Sequence, residues 1–253
     1  MKHSLSALRN RAQQALHRAS AAASRMADAL WYGHPTPMHP PAHARGQVWA
    51  VGLQGPALLA FHQWQHDGTQ STPNDCATVC VAMAVNIALR LHADGKSAPL
   101  RHATLARLLD RAPLHAWRLF RIPFVGAMPP GRTAAALNYL ASRQRVAGEN
   151  RPWQARTSSK NTLDDLFSTL VAGKLSILFG VWEDGTPHAM LLAGYDAPRD
   201  TWRILDPGLP PQEGTGKPLF RRMNSDQLHA WWGRRCPWYP RYTMVTLNAR
   251  PAT

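Results

Sequence analysis

Residues 188–208 read HAMLLAGYDAPRDTWRILDPG. Two apolar runs, Ala189 to Tyr195 and Thr201 to Leu205, flank a polar, proline-containing turn, which is the pattern of two antiparallel strands. If about five residues form the connection, Tyr195 pairs with Thr201. His188 then opposes Gly208 and lies diagonal to Asp206 on the same face. Asp196, the other acid of the hairpin, falls at the turn, about 25 Å from His188 along the strand. A third strand, Leu175 to Trp182, leads in through the turn Glu183 to Pro187. This part of the chain is therefore expected to be antiparallel sheet, with a histidine and an aspartate brought together at one end.

Upstream the pattern changes to helix. Cys76 to Leu91 is apolar all round, starts after a capping Asn74 or Asp75 and closes near Gly95, so it is expected to be buried. A cysteine at a helix N-terminus sits where unpaired amides and the helix dipole favour the thiolate, the nucleophilic form. The preceding turn, Gln70-Ser-Thr-Pro-Asn-Asp75, can bring the Gln70 amide back over Cys76, where it and the Cys76 N–H would make an oxyanion hole. The partner base should be a histidine held in one tautomer. Of the twelve histidines, context favours His188 with Asp206 as its orienter.

The remaining chain fills in around these pieces. Val48 to Val51 and Ala57 to Phe61 read as strands, and residues 99–144 as helix broken by prolines, clearest over Thr133 to Ser142. A helix from Thr162 carries Asp164 and Asp165 in its first turn and stops at Gly173. Another covers Ser225 to Trp232. Helices come first and strands last, an α+β order.

Composition adds limits. With 253 residues, 45% hydrophobic, the chain can form one large domain plus an appendage. Three cysteines make no disulfide framework and suit a reducing compartment. No apolar run is long enough to span a bilayer, and no secretory h-region is present, so a cytoplasmic location is expected. The formal charge of +14 favours acidic partners without selecting one. Residues 1–31 form a basic amphipathic pattern, rich in Arg, Ser and Ala and poor in acids, that reads as a transit peptide, as a helix on an anionic membrane surface or as one packed on the domain. The expected division is therefore a helix at 1–32, a Pro/His-rich linker at 33–46 and a domain at 47–253.

Taken together, Gln70 six residues before Cys76, the apolar helix, HAMLLAGYD and LDPG resemble the papain-like cysteine peptidases of the bacteriocin-processing (double-glycine leader) group and their stand-alone, family 39-like relatives. The resemblance spans about residues 60–240, and Gly173-Lys174 also fits it. It implies a papain-like cysteine proteinase fold, with the cysteine on the helical half and the histidine and aspartate on the sheet. It also implies a peptide or protein substrate and no cofactor. Cys76 would be nucleophile, His188 base, Asp206 orienter and Gln70 the oxyanion donor. The chain departs from the pattern at Ala77, where glycine is usual, at Leu175, where proline is common, and in a longer helical insert at about 98–160. No attached transporter domain is expected, so a coupled export role is not expected to carry over.

Other features read more plainly. Cys80 reads as core, and Cys236 as incidental. No CxxC or HxxxH pair suggests zinc. Gly214-Thr-Gly-Lys217 fails as a phosphate loop, because Pro211 and Pro218 stand at its defining positions. Trp231, Trp232 and Trp238 beside Arg221, Arg222, Arg234 and Arg235 read as core aromatics with snorkelling arginines, so nucleic acid is not the expected partner. The sequence thus points to peptide-bond hydrolysis. Acyl transfer with the same triad and an idle fold serving as a basic binding module are the alternatives.

Overall fold

The computed structural model describes residues 44–68, 74–92, 99–111, 113–115, 118–119, 127–143 and 153–249; the basic segment 1–31 and Gln70 lie outside these. Its centre is the meander of β5 (Leu175–Val181), β6 (Pro187–Asp196) and β7 (Thr201–Leu205), all antiparallel. Strands β5 and β6 are buried at every position except Pro187, so both of their faces are covered. The sheet extends through β8 (Arg221–Met223) beyond β7, and through β9 (Thr243–Ala249) and β4 (Trp153–Ser158) beyond β5. A short β1 (Gln47–Trp49) pairs with the last residues of β6, making seven strands.

The hairpin register matters most for the site. Near the turn Tyr195 pairs with Trp202, one residue off the expected Thr201, because the connection is a 3-10 turn at Ala197–Arg199 closed by a left-handed Asp200. A bulge between Leu192 and Gly194 absorbs the extra residue, and Leu191 pairs with Leu205 as the expected register requires. Gly194 beside the bulge meets the Trp49 ring so closely that a Cβ there would come within 2.7 Å of it.

Helices pack on this sheet. Helix α2 (Cys76–His92) is buried continuously from Ala77 to Ala88, lies against β6 and touches α3 (His102–Arg111) and α4 (Pro130–Arg143). Its one buried amide is satisfied, because Asn86 both donates to and accepts from the Leu100 backbone, at 2.9 and 2.7 Å. Asn138 ties α4 to β4 in the same way through Ala155. Helix α5 (Leu163–Val171) begins with a capping box between Thr162 and Asp165, and α6 (Ser225–Trp232) with one between Asn224 and Gln227.

Three expectations are corrected. Ala57 to Phe61 is not a strand: α1 (Gly55–Leu59) occupies it, because Pro56 preorganises a helix start. The strand expected over Val48 to Val51 turns after Trp49 into a 3-10 segment in which Val51 has φ +50°. The stretch 98–160 is not helical throughout, since it contains the small hairpin β2 (Pro113–His115) and β3 (Arg118–Leu119) and ends in β4 of the main sheet. Among the described residues, no helix is long and apolar enough to cross a membrane.

Candidate active site

Cys76 opens α2. The carbonyl of Asp75 accepts the first helical bond, from Val79 at 2.8 Å, so Asp75 occupies the N-cap position and the thiol sits over the unpaired amides of the first turn. Cys76 is half-buried, whereas Cys80, one turn later, is fully buried and bonds its thiol to the Ala189 carbonyl at 3.4 Å. The carbonyl contact makes Cys80 a tie between α2 and β6.

His188 reaches Cys76 from the start of β6. A tight turn delivers it, with Trp182 N donating to Thr186 at 2.9 Å and Gly185 at φ +83°. Its Nε2 donates to Asp206 Oδ1 at 2.6 Å, and the ring lies close enough to the Cys76 thiol for the two to interact, with Nδ1 the nitrogen that Asp206 leaves available. Asp206 itself is fully buried just beyond β7. Its Oδ1 also accepts Gly208 N at 2.7 Å, and its Oδ2 accepts Arg221 Nε. Gly208 packs closely on the pair, because a Cβ there would come within 3.2 Å of Oδ1 and 3.3 Å of the imidazole and press on both.

The electrostatics follow from these contacts. Burial favours the neutral imidazole, but the hydrogen bonds to Asp206 and Cys76, together with their charges, overcome it and raise His188 to about 10. Desolvation likewise opposes ionisation of Asp206, yet His188 and Arg221 hold its carboxyl well below the usual range. The buried Cys80 thiol is pushed well above its ordinary value, first by desolvation and then by Cys76 and Asp206. The site therefore pairs an ionised acid with a charged base beside an accessible thiol.

A second ring of residues supports the three. Trp182 lies against His188, with ring centroids 5.9 Å apart, and against Trp231 at 5.8 Å. The Arg221 guanidinium sits over Trp182, 4.9 Å from the ring centroid. From the segment after α1, His62 Nε2 donates to the Asp206 carbonyl at 2.9 Å and Gln65 N to the Pro207 carbonyl at 2.8 Å. Burial lowers the His62 pKa, which suits a neutral donor.

The fold thus brings Cys76, His188 and Asp206 together, while Gln70 lies outside the described residues. Asp196 stands at the far end of the hairpin with Arg199, Arg203 and Gln47. Gly214 to Lys217 is an exposed turn, with Gln212 N donating to the Lys217 carbonyl. Trp231 and Trp232 are core, but Trp238 is 56% exposed, against expectation, because it lies on the loop after α6 rather than in the helix. In the sequence Arg221 reads only as a snorkelling arginine and Trp182 only as a strand end, and His62 is not singled out. Trp182 alone had a signal, as an aromatic ending the strand before the histidine.

No protein-family model matches the chain, and no curated protein matches it. Among solved structures, a Bacillus anthracis protein provisionally described as a C39-like peptidase aligns with 82% of this chain and 100% of its own, at 12% identity and a TM-score of 0.49. The likeness is one of general outline, and the residues above stand on their own geometry.

Proposed function

We propose that this chain is a papain-like cysteine peptidase, related to the stand-alone members of the bacteriocin-processing group, that cleaves a peptide bond through Cys76, His188 and Asp206. The Cys76 thiolate attacks the carbonyl carbon, and the oxyanion is held by the Cys76 N–H and the Gln70 amide. His188 Nδ1–H passes its proton to the leaving nitrogen as the C–N bond breaks, leaving a thioester on Cys76. Neutral His188 then takes a proton from water, the hydroxide adds to the thioester, and the acid leaves as the thiol is regenerated. Asp206 holds the imidazole in the tautomer that both steps need.

The observation that carries the reading is the His188 ring, bonded through Nε2 to a buried carboxylate and interacting with the Cys76 thiol. Cys80 and Cys236 lack that setting, and burial raises the pKa of both. The test has two arms. Iodoacetamide at neutral pH, followed by mass mapping, is expected to label Cys76 well before Cys80 or Cys236. Incubation with a peptide library is expected to give new termini with the wild type and none with Cys76→Ala. Equal slow labelling of all three thiols, or cleavage that survives Cys76→Ala, overturns the proposal.

A further inference from the structure

The carboxylate of Asp206 serves two cations at once. Oδ1 faces the imidazole and the Gly208 amide, and Oδ2 faces Arg221. Arg221 comes from β8, where it pairs with Ile204, two residues before Asp206 on the neighbouring strand. Its side chain is 31% exposed, so it bridges from the protein surface to a carboxylate that is wholly buried. The guanidinium is also fixed from below, because it lies on Trp182, which in turn lies against the His188 ring. Arg221 and His188 thus take the two oxygens of Asp206, and Trp182 packs against both of them.

We propose that Arg221 is a positioning residue for this site: by holding Oδ2 it fixes the rotation of the Asp206 carboxylate and offsets its charge, so that His188 can release its proton to the leaving group. The proposal rests on the peptidase reading above. A carboxylate facing only an imidazolium holds that proton tightly, and a base that never lets go is a poor general acid. An arginine on the opposite oxygen draws away part of the charge without touching the ring. Its Nε bond gives Oδ2 a fixed partner, as the His188 and Gly208 bonds do for Oδ1, so both oxygens are held in place. Arg221 therefore loosens the hold of Asp206 on the imidazolium while leaving its orienting bond to the ring in place.

The other ionisable groups around His188 do not supply this effect. Cys76 and Cys80 on α2 are thiols, and a charge on either favours the imidazolium. His62 is neutral and bonds the Asp206 carbonyl rather than its carboxylate. Tyr239, whose hydroxyl donates to the Gly180 carbonyl at 2.9 Å, has a pKa pushed well above 10 by burial. Glu183, next to Trp182, is exposed and paired with Arg234. Of these groups only Arg221 bonds the far oxygen of Asp206.

The test compares wild type, Arg221→Met and Arg221→Lys by two readouts: NMR titration of the ring-labelled His188 imidazole, and kcat on any cleavable peptide. In Arg221→Met the imidazolium is expected to persist to higher pH, by roughly half a unit given the partial exposure of Arg221, with kcat down about tenfold or more. Arg221→Lys should restore the titration, because it keeps the charge, but not the full kcat, because it loses the Nε bond geometry and the stack on Trp182. An unchanged titration in Arg221→Met overturns the proposal, as does a Lys variant that titrates like Met. A shift without any fall in kcat also overturns it. If Arg221→Met does not fold, Arg221→Gln carries the same test, since it too removes the charge. The titration needs no turnover, so it decides the Arg221 effect even if turnover proves independent of Cys76 and the peptidase reading fails.

Discussion

The hairpin of β6 and β7 has a buried aspartate at each end, and the two ends differ in what else reaches them. At one end Asp206 meets His188, Gly208 N and Arg221, with Cys76 on the far side of the imidazole. At the other, Asp196 meets Arg199, Arg203 and the Gln47 amide, and no histidine. Both carboxyls are held below their ordinary range against the cost of burial. Burial, an arginine partner and a depressed pKa are thus common to a structural acid and a candidate catalytic one. What separates them is the imidazole and, beyond it, a thiol at a helix start.

The largest expected effects lie at the His188 end. His188→Ala should lose nearly all turnover, a factor of roughly 10⁴ or more, because both proton transfers pass through its ring. Asp206→Ala should lower kcat by on the order of a hundredfold or more, while Cys76 keeps part of its alkylation reactivity through the helix N-terminus. Asp196→Ala should leave turnover at the wild-type level. Steady-state kinetics on one cleavable peptide ranks the three, and a fully active Asp206 variant would remove Asp206 from the mechanism.

The comparison sharpens when stability is measured against pH. His188 has its folded pKa raised to about 10, so its stabilising contribution is complete below its ordinary 6.5 and is lost as pH rises toward 10. Asp206 and Asp196 have depressed values, so their contributions are present above about 3.8 and are lost on acidification. Urea unfolding across the pH range is therefore expected to show a flattened alkaline side in His188→Ala. Asp196→Ala should flatten only the acid side, at a cost of about 2 kcal/mol near neutral pH. An alkaline side unchanged in the histidine variant would mean that its bond to Asp206 contributes little to folding.

How much of this was legible in the sequence depends on how local the information was. The ends of α6 and β7, and the start of α2, were read without error, because caps and apolar periodicity are written within a few residues. The His188–Asp206 meeting was also legible, but with help from a cancellation. The connection is one residue shorter than expected, and the bulge at Ala193 restores the register before the site. The isolated Gly194 in the strand is the one sign of that bulge, and it does not by itself say which way the register shifts. Ala57 to Phe61 was misread because five apolar residues satisfy strand and helix alike. Arg221 was illegible for a different reason. Its reach to Asp206 depends on how three residues of β8 pair after the exposed segment that follows Leu209, and nothing nearby in sequence encodes that pairing.

The smallest expected effect distinguishes the two arginines at the Asp196 end. Arg199 reaches Oδ2 at 3.2 Å from a side chain that is 72% exposed, so water and salt screen the pair and holding it costs side-chain entropy. Arg203 reaches the same oxygen at 2.9 Å, is only 20% exposed and lies over the Trp49 ring, 4.8 Å from its centroid. Trp49 is itself seated on Gly194 and against Phe220, so Arg203 locks the acid to the strand β1 that covers the end of β6. Removing Arg203 leaves a buried carboxylate with only the exposed cation and Gln47, and strips the ring of its cover. Arg203→Ala is therefore expected to cost about 1–2 kcal/mol in urea unfolding, and Arg199→Ala less than about 0.5 kcal/mol, with kcat unchanged in both. Raising salt should reduce the Arg199 effect toward zero and leave most of the Arg203 effect, because screening reaches only the exposed pair. Equal losses from the two variants would mean that the turn of the hairpin, rather than the packing on Trp49, holds Asp196 in place.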